Sequence, residues 1–509
     1  MKIQRTKNAA RNVLTGTVLR AIVTVMPFFM RMVMLRFLGV EYLGLNGLFR
    51  SILSFLNLAE LGVGSAMVFS MYKPIAEDDT ETICALMKLY RFFYRIIGLV
   101  IAGVGLALTP FLRNLISGDL PADVNLYILY YMNLASTVLT YWLFAYKNSL
   151  VYAHQRNDVI SSLKIILYVI EYGLKILVLA VFHNYYLYLI IQLVNQVAIN
   201  LFSARRVSRM YPDYVPRGSL PKEQVREIGR RVRDLFTAKF STVISGSADT
   251  LVISAFLGLA PLAVFQNYLY IITAVTGMLD VVIGACIAGI GNSLITESVE
   301  KNYKDLHKLS MLFSWLLSIS SAMLLCMFQP FMELWMGKEN MLAFSYVVCF
   351  TVYFYFTGMN KLFNMFKDAA GIWHRDRFRP LTAALVNLAL NLATVRWLGL
   401  YGVLLSTVVS ILFVEFPWLL HNLFTEIFPR DYLWAYLRSF LGFVAVTGLC
   451  CVAPWFICSR FALAALPAVF VNACLSFLLP NVIFILFFGR DGAFRACVNQ
   501  IKGVITRKR

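Results

Sequence analysis

The sequence predicts an all-α polytopic membrane protein with about fourteen transmembrane helices. Three observations predict it. Of 509 residues, 60% are hydrophobic and 14% are charged, against roughly 45–50% and about 25% in soluble domains. The mean hydropathy is +0.71. Apolar runs of the length a bilayer requires, about 20 residues, recur along the whole chain.

The first run, 12–38, lies between a basic stretch (1–11) and a short turn, Gly39 to Tyr42. The second, 43–71, stops at Lys73 and Pro74. The third and fourth, 88–112 and 123–146, flank a connection near 113–123. The fifth and sixth, 157–181 and 184–204, meet at the short turn His183 to Tyr185. A basic connection, "ARRVSRMYPDYVPRGSLPKEQVREIGRRVRD", fills 204–234. Next come 235–258 and 262–294, joined at Leu259 to Pro261, then 308–329 and 341–366. The runs 378–397 and 400–424 turn at Gly399, and 433–458 and 463–489 complete the set. A weak internal repeat marks the halves. "RFLGVEYLGLNGLFRSI" and "AFLGLAPLAVFQNYLYII" align Phe37, Leu38 and Gly39 with Phe256, Leu257 and Gly258. Transporters are often built from repeated halves with the site between them.

The net charge is +19. Of the 46 Lys and Arg, 37 lie at the termini or in and beside the even-numbered connections, and six on the opposite side. That asymmetry puts both termini in the cytoplasm, as an even helix count also requires. The basic excess therefore reports topology and attraction to anionic lipids, not nucleic-acid binding. The first run is too long, and too interrupted by arginines, for a cleavable signal peptide, and reads as an anchor. The nine Cys show no metal spacing and read as small buried hydrophobes. There is no HExxH, P-loop or G-x-S-x-G, and Gly289-Ile-Gly291 lacks a third glycine. No metal site and no catalytic residue is expected.

A charge at mid-bilayer costs about 2.5–3.5 kcal/mol, so it normally faces a bundle interior or a watery cavity. Arg20 and Arg31 lie eleven residues apart in the first helix, within roughly 20° of one face and about 16 Å along the axis. That helix has no acidic residue to neutralise them. A cationic stripe suits an anionic substrate, and arginine's planar fork fits phosphate. Arg50 enters the second helix from its outer end, with Glu60 about 15 Å deeper. Lys175 and Glu171 stand at i,i+4 in the fifth helix, a spacing that allows self-pairing. Asp249 and Asp280 occupy the seventh and eighth. Arg20, Arg31, Arg50 and Lys175 are the substrate-binding candidates. Glu60, Glu171, Asp249 and Asp280 are the ion-coupling candidates. For each carboxylate the competing role is to pair with a cation and fix helix packing.

Three segments carry a family resemblance: "LGVEYLGLNGLFRSILSFLNLAELGVGSAMVFSMYKPIA" (38–76), "YAHQRNDVISSLKI" (152–165) and "DAAGIWHRDRFRPLTAALVNLALNLATVRWLGLYGVLLST" (368–407). The third is the most specific. It combines Gly371, Asp376, Arg377, Arg379 and Pro380 with Asn387, Asn391, Leu398-Gly399 and Gly402. The chain resembles the polysaccharide exporter and O-antigen (Wzx-like) flippase family. Its superfamily also holds multidrug and toxin extruders and lipid II flippases. The resemblance implies two six-helix lobes in a V plus a C-terminal helix pair: lobe 1–210, linker 211–234, lobe 235–428, helices 429–490 and tail 491–509. It implies flipping of an undecaprenyl-pyrophosphate-linked oligosaccharide across a bacterial inner membrane, for lipopolysaccharide or capsule. No cofactor is implied. Proton or sodium coupling is raised by the family, though no motif shows it. The implied partners are the lipid-linked oligosaccharide, membrane lipids and other polysaccharide assembly proteins. A drug extruder of the same superfamily typically has twelve helices and takes cations, against the last helix pair and the helix-one arginines. A lipid-linked glycan polymerase or ligase typically needs a larger extracytoplasmic loop than any here.

Overall fold

Hydropathy dictates helices, because backbone N–H and C=O groups in lipid must bond within their own segment. The computed structural model describes residues 5–60, 62–118, 120–461, 463–492 and 494–495, and every element among them is helical. Among the described residues, eleven helical stretches are long and apolar enough to cross a membrane, or twelve if one bent pair counts as a span. Two further predicted segments are helical but fall outside that count. The run 341–366 becomes a phenylalanine-rich helix, and that at 235–258 contains the short apolar stretch Gly246–Leu257.

The chain divides into two units, Met1–Ala263 and Val264–Arg509. The first contains α1 (Arg5–Phe37), α2 (Val40–Leu56), α3 (Val63–Ala76), α4 (Thr80–Leu108), α5 (Leu126–Trp142), α6 (Asn148–Ala153), α7 (Asn157–Phe182), α8 (Tyr185–Met210) and α9 (Lys222–Leu257). Here α1 packs on α7, α7 on α8, and α5 on both α4 and α8. The sequence placed α9 with the second lobe. It packs against α2 and α3. The connection that follows it sits tightly: a Cβ on Gly44 would meet the Leu259 carbonyl oxygen at 2.2 Å. Ser254 donates to the Leu115 carbonyl at 2.6 Å, and Ser117 N–H donates to that of Ser254 at 2.9 Å.

Two predicted spans are interrupted. The run 43–71 is α2 and α3, separated by a 3₁₀ turn (Asn57–Glu60) and by Gly62 at φ +89°. That φ is the left-handed region that favours glycine. The run 123–146 leads into α5 and α6, which bend by 46° where Phe144 takes φ +60°.

The second unit contains α10 (Leu259–Thr296, beyond its first turn), α11 (Val299–Met336), α12 (Phe344–Ala369), α13 (Arg379–Leu398), α14 (Leu400–Ser410), α15 (Phe416–Glu426), α16 (Asp431–Cys458) and α17 (Ala465–Phe488). Helix α11 is the hub, packed on α12, α16 and α17. Serines on α11 pair with polar groups around them: Ser310 with Tyr436 at 2.8 Å and Ser318 with Thr447 at 2.7 Å. The α14–α15 span carries a π turn at Ile411–Glu415, just before Pro417. A proline has no N–H to give to the helical ladder, a recognised cause of such distortions.

Candidate functional site

In the first unit the α2–α3 break exposes a carboxylate to a cavity. Non-helical backbone at membrane depth is tolerated where it is buried in protein or lines a cavity, and this break does both. Glu60 ends the 3₁₀ turn, half-buried, beside a cavity of about 500 Å³. Tyr94 donates to Glu60 Oε1 at 3.1 Å, and Tyr90 donates to the Tyr94 hydroxyl at 2.6 Å. The Tyr141 hydroxyl donates to Asn57 Oδ1 at 3.1 Å, on the same turn. Tyr90, Tyr94 and Tyr141 are buried, whereas Phe69, Tyr72 and Tyr152 at the rim are exposed. The α9 guanidinium of Arg231 lies 4.7 Å over the Phe69 ring. The sequence singled out Glu60. It did not single out the tyrosines: Tyr72 lies nearby on α3, whereas Tyr90, Tyr94, Tyr141 and Tyr152 come from α4, α5 and α6, far from it in sequence.

Glu171 and Lys175 form an ion pair at 2.6 Å and are 7% and 3% exposed. Lys175 donates to Gln192 Oε1 at 3.2 Å and lies 4.2 Å over the Tyr188 ring. Asn195 donates to the second oxygen of Glu171. All the partners across the contact come from α8, so the pair ties α7 to α8. Arg20 is exposed on α1, Arg31 half-buried on α1, and Arg50 exposed on α2. Asp249 is half-buried on α9. Asp280 is exposed on α10 and pairs with Lys361 of α12 at 2.6 Å. Of the eight sequence-predicted residues, Glu171 and Lys175 are thus brought into direct contact.

A second charged cluster was not foreseen. Arg379 and Asp376, each 3% exposed, are joined by two parallel bonds at 2.7 and 2.8 Å. Arg379 also donates to Glu415 at 2.9 Å and to Asn364 at 2.8 Å. Asn360 donates to Glu415, Asn422 donates to Asp376 at 3.2 Å, and Lys367 approaches Asp376 at 3.5 Å. The resemblance pointed to Asp376 and Arg379 as loop residues. Glu415 carried a signal that was available: a carboxylate inside the apolar run "ILFVEFPWLL", the same anomaly that drew attention to Glu60.

No protein-family model matches the chain, and no curated protein matches it. Solved structures do. The chain is similar to the lipid II flippase MurJ in an inward closed conformation: TM-score 0.71, 14% identity, covering 94% of this chain and 99% of that one. It is similar to a multidrug resistance MATE family transporter of the MOP superfamily in its inward-facing conformation: TM-score 0.59, 16% identity, 84% and 99% coverage. An outward-facing MATE structure matches with TM-score 0.51, 16% identity and 84% and 96% coverage. The fold is therefore that of the MurJ and MATE transporters.

Proposed function

We propose that the chain is a membrane transporter that moves an undecaprenyl-pyrophosphate-linked oligosaccharide from the cytoplasmic to the outer leaflet by alternating access, for surface polysaccharide assembly. The supporting observation is the extent of the likeness to a lipid flippase, which spans almost all of both chains. The MATE likeness leaves more of this chain uncovered. A fold that occurs in inward-facing and outward-facing forms fits alternating access.

In this reading Arg20 and Arg31 hold the diphosphate at two levels of α1, about 16 Å apart. The membrane is the bacterial inner membrane, with both termini cytoplasmic. Coupling, where present, is to a proton or sodium gradient through Glu60. Losing a charge-assisted hydrogen bond costs about 1.5–3 kcal/mol, or about tenfold and upward in affinity. Arg20→Ala/Arg31→Ala should therefore insert normally and lose most transport of a pyrophosphate-linked glycolipid in reconstituted vesicles. Wild-type transport by that variant rules the reading out.

A further inference from the structure

We propose that the cavity over Glu60 is a saccharide subsite, which takes a pyranose ring between its aromatic rim and the carboxylate. This rests on the reading of the cargo as a lipid-linked oligosaccharide, and assigns one part of that cargo to one place.

The space is real and kept open. A Cβ added to Gly64 would lie 3.1 Å from the Tyr90 hydroxyl and 3.3 Å from Glu60 Oε1. Any side chain there would grow into the volume over the carboxylate. The cavity, about 500 Å³, falls in the range of sites for organic ligands, roughly 300–1,000 Å³. It far exceeds the ~30 Å³ share of one water, so a bare ion leaves most of it unused.

The lining is two-faced in the way a pyranose is. A sugar ring has an apolar C–H face and a rim of hydroxyls. Phe69 (57% exposed) and Tyr72 (46% exposed) present ring surface at the mouth, which suits the first. The Glu60 carboxylate suits the second, because hydroxyls donate strong charge-assisted bonds to it. Ser65 also lines the cavity and can donate or accept.

An organic cation is the competing occupant, and the geometry disfavours it. Cation recognition uses aromatic ring faces. Tyr90 and Tyr94 instead turn their hydroxyls toward the carboxylate and spend their protons in the chain Tyr90 to Tyr94 to Glu60. The rim also already carries a cation: Arg231, ion-paired to Glu227 at 2.6 Å, lies 4.7 Å over one face of the Phe69 ring.

The test is saturation-transfer-difference NMR on the full chain in detergent. The probes are free glucose, galactose, N-acetylglucosamine and cellobiose, with tetramethylammonium and inorganic pyrophosphate measured separately. At least one saccharide should show transfer to wild type. Gly64→Leu should abolish it, and Phe69→Ala and Tyr72→Ala should weaken binding by about two- to tenfold. These rim side chains are exposed, so melting temperatures should be unchanged. The proposal is overturned if no saccharide binds wild type, whether or not tetramethylammonium does. It is equally overturned if saccharide signals persist undiminished in all three variants. Pyrophosphate separates the two layers of the argument. Pyrophosphate binding without saccharide binding sinks the subsite alone. Saccharide binding without pyrophosphate binding upholds the subsite and counts against the anionic lipid cargo.

Discussion

Replacing Arg379 with methionine tests the energetics of the buried cluster. Methionine has a similar length and no charge. The substitution removes four hydrogen bonds at 2.7–2.9 Å, two to Asp376, one to Glu415 and one to Asn364. Breaking a buried ion pair by deleting one partner costs about 3–5 kcal/mol, because the other charge stays buried. Here Asp376 keeps Lys367 at 3.5 Å and Asn422 at 3.2 Å, and Glu415 keeps Asn360. The lower end, about 3 kcal/mol, is therefore expected. For a unit the size of Val264–Arg509 that corresponds to a fall of about 6–12 °C in melting temperature. Thermal melting of the detergent-purified chain reads this directly. Arg379→Lys should fall between, since an ammonium keeps the charge but cannot form the parallel pair. Adding Glu415→Gln to Arg379→Met should restore part of the loss, because it removes a carboxylate that has no cation left. A methionine variant melting within about 2 °C of wild type would refute this account, as would a double variant less stable than the single.

Three other perturbations follow from the same structure. Gly44→Val forces a branched side chain against the Leu259 backbone and should cost about 1–3 kcal/mol. Gly103→Val on α4, where a Cβ meets nothing within 4 Å, is the matched control, and equal melting of the two would show that the contact does not hold. His154 is buried against Tyr211 and donates its Nδ1–H to the Leu150 carbonyl, 2.8 Å away. Burial lowers its pKa below the usual 6.5. Below that value the unfolded chain binds more protons than the folded one, so stability is complete above about pH 6.5 and falls as pH drops toward the lowered pKa. His154→Gln should flatten the melting profile over that window, and an unchanged profile would exclude His154 as the cause. Glu60→Gln should fold normally and still accept from Tyr94. In vesicles with an imposed proton or sodium gradient it should lose gradient dependence, and retained dependence would remove Glu60 from coupling.

Helix existence was legible because hydropathy is a strong, local signal, as at 157–181 and 433–458. The i,i+4 spacing of Glu171 and Lys175 also permitted the contact that forms. What was hidden depends on tertiary partners. Nothing local distinguishes an α9 that packs on α2 from one that joins the second half. The α2–α3 break was concealed because apolar residues continue around it, although Gly62 and Gly64 follow Glu60 closely. Arg379 was named only as part of the loop that carries the resemblance, with no partner assigned to it. Only three-dimensional packing brings Glu415 and Asn364 to it.

The π turn has a further consequence. Such a turn is an α-helix with one residue inserted, and each residue adds about 100° of rotation. A helical wheel drawn through 400–424 is therefore correct for α14 and out of phase from the insertion onward. The shift falls on Glu415 itself, the last residue of the turn, and on all of α15. Glu415 thus points where a regular helix would have placed a neighbour, and it meets Arg379. Asn422, seven residues on, inherits the same offset and reaches Asp376. The wider turn takes up that one residue, so deleting one of 411–414 would restore a regular helix and leave Asn422 still facing Asp376.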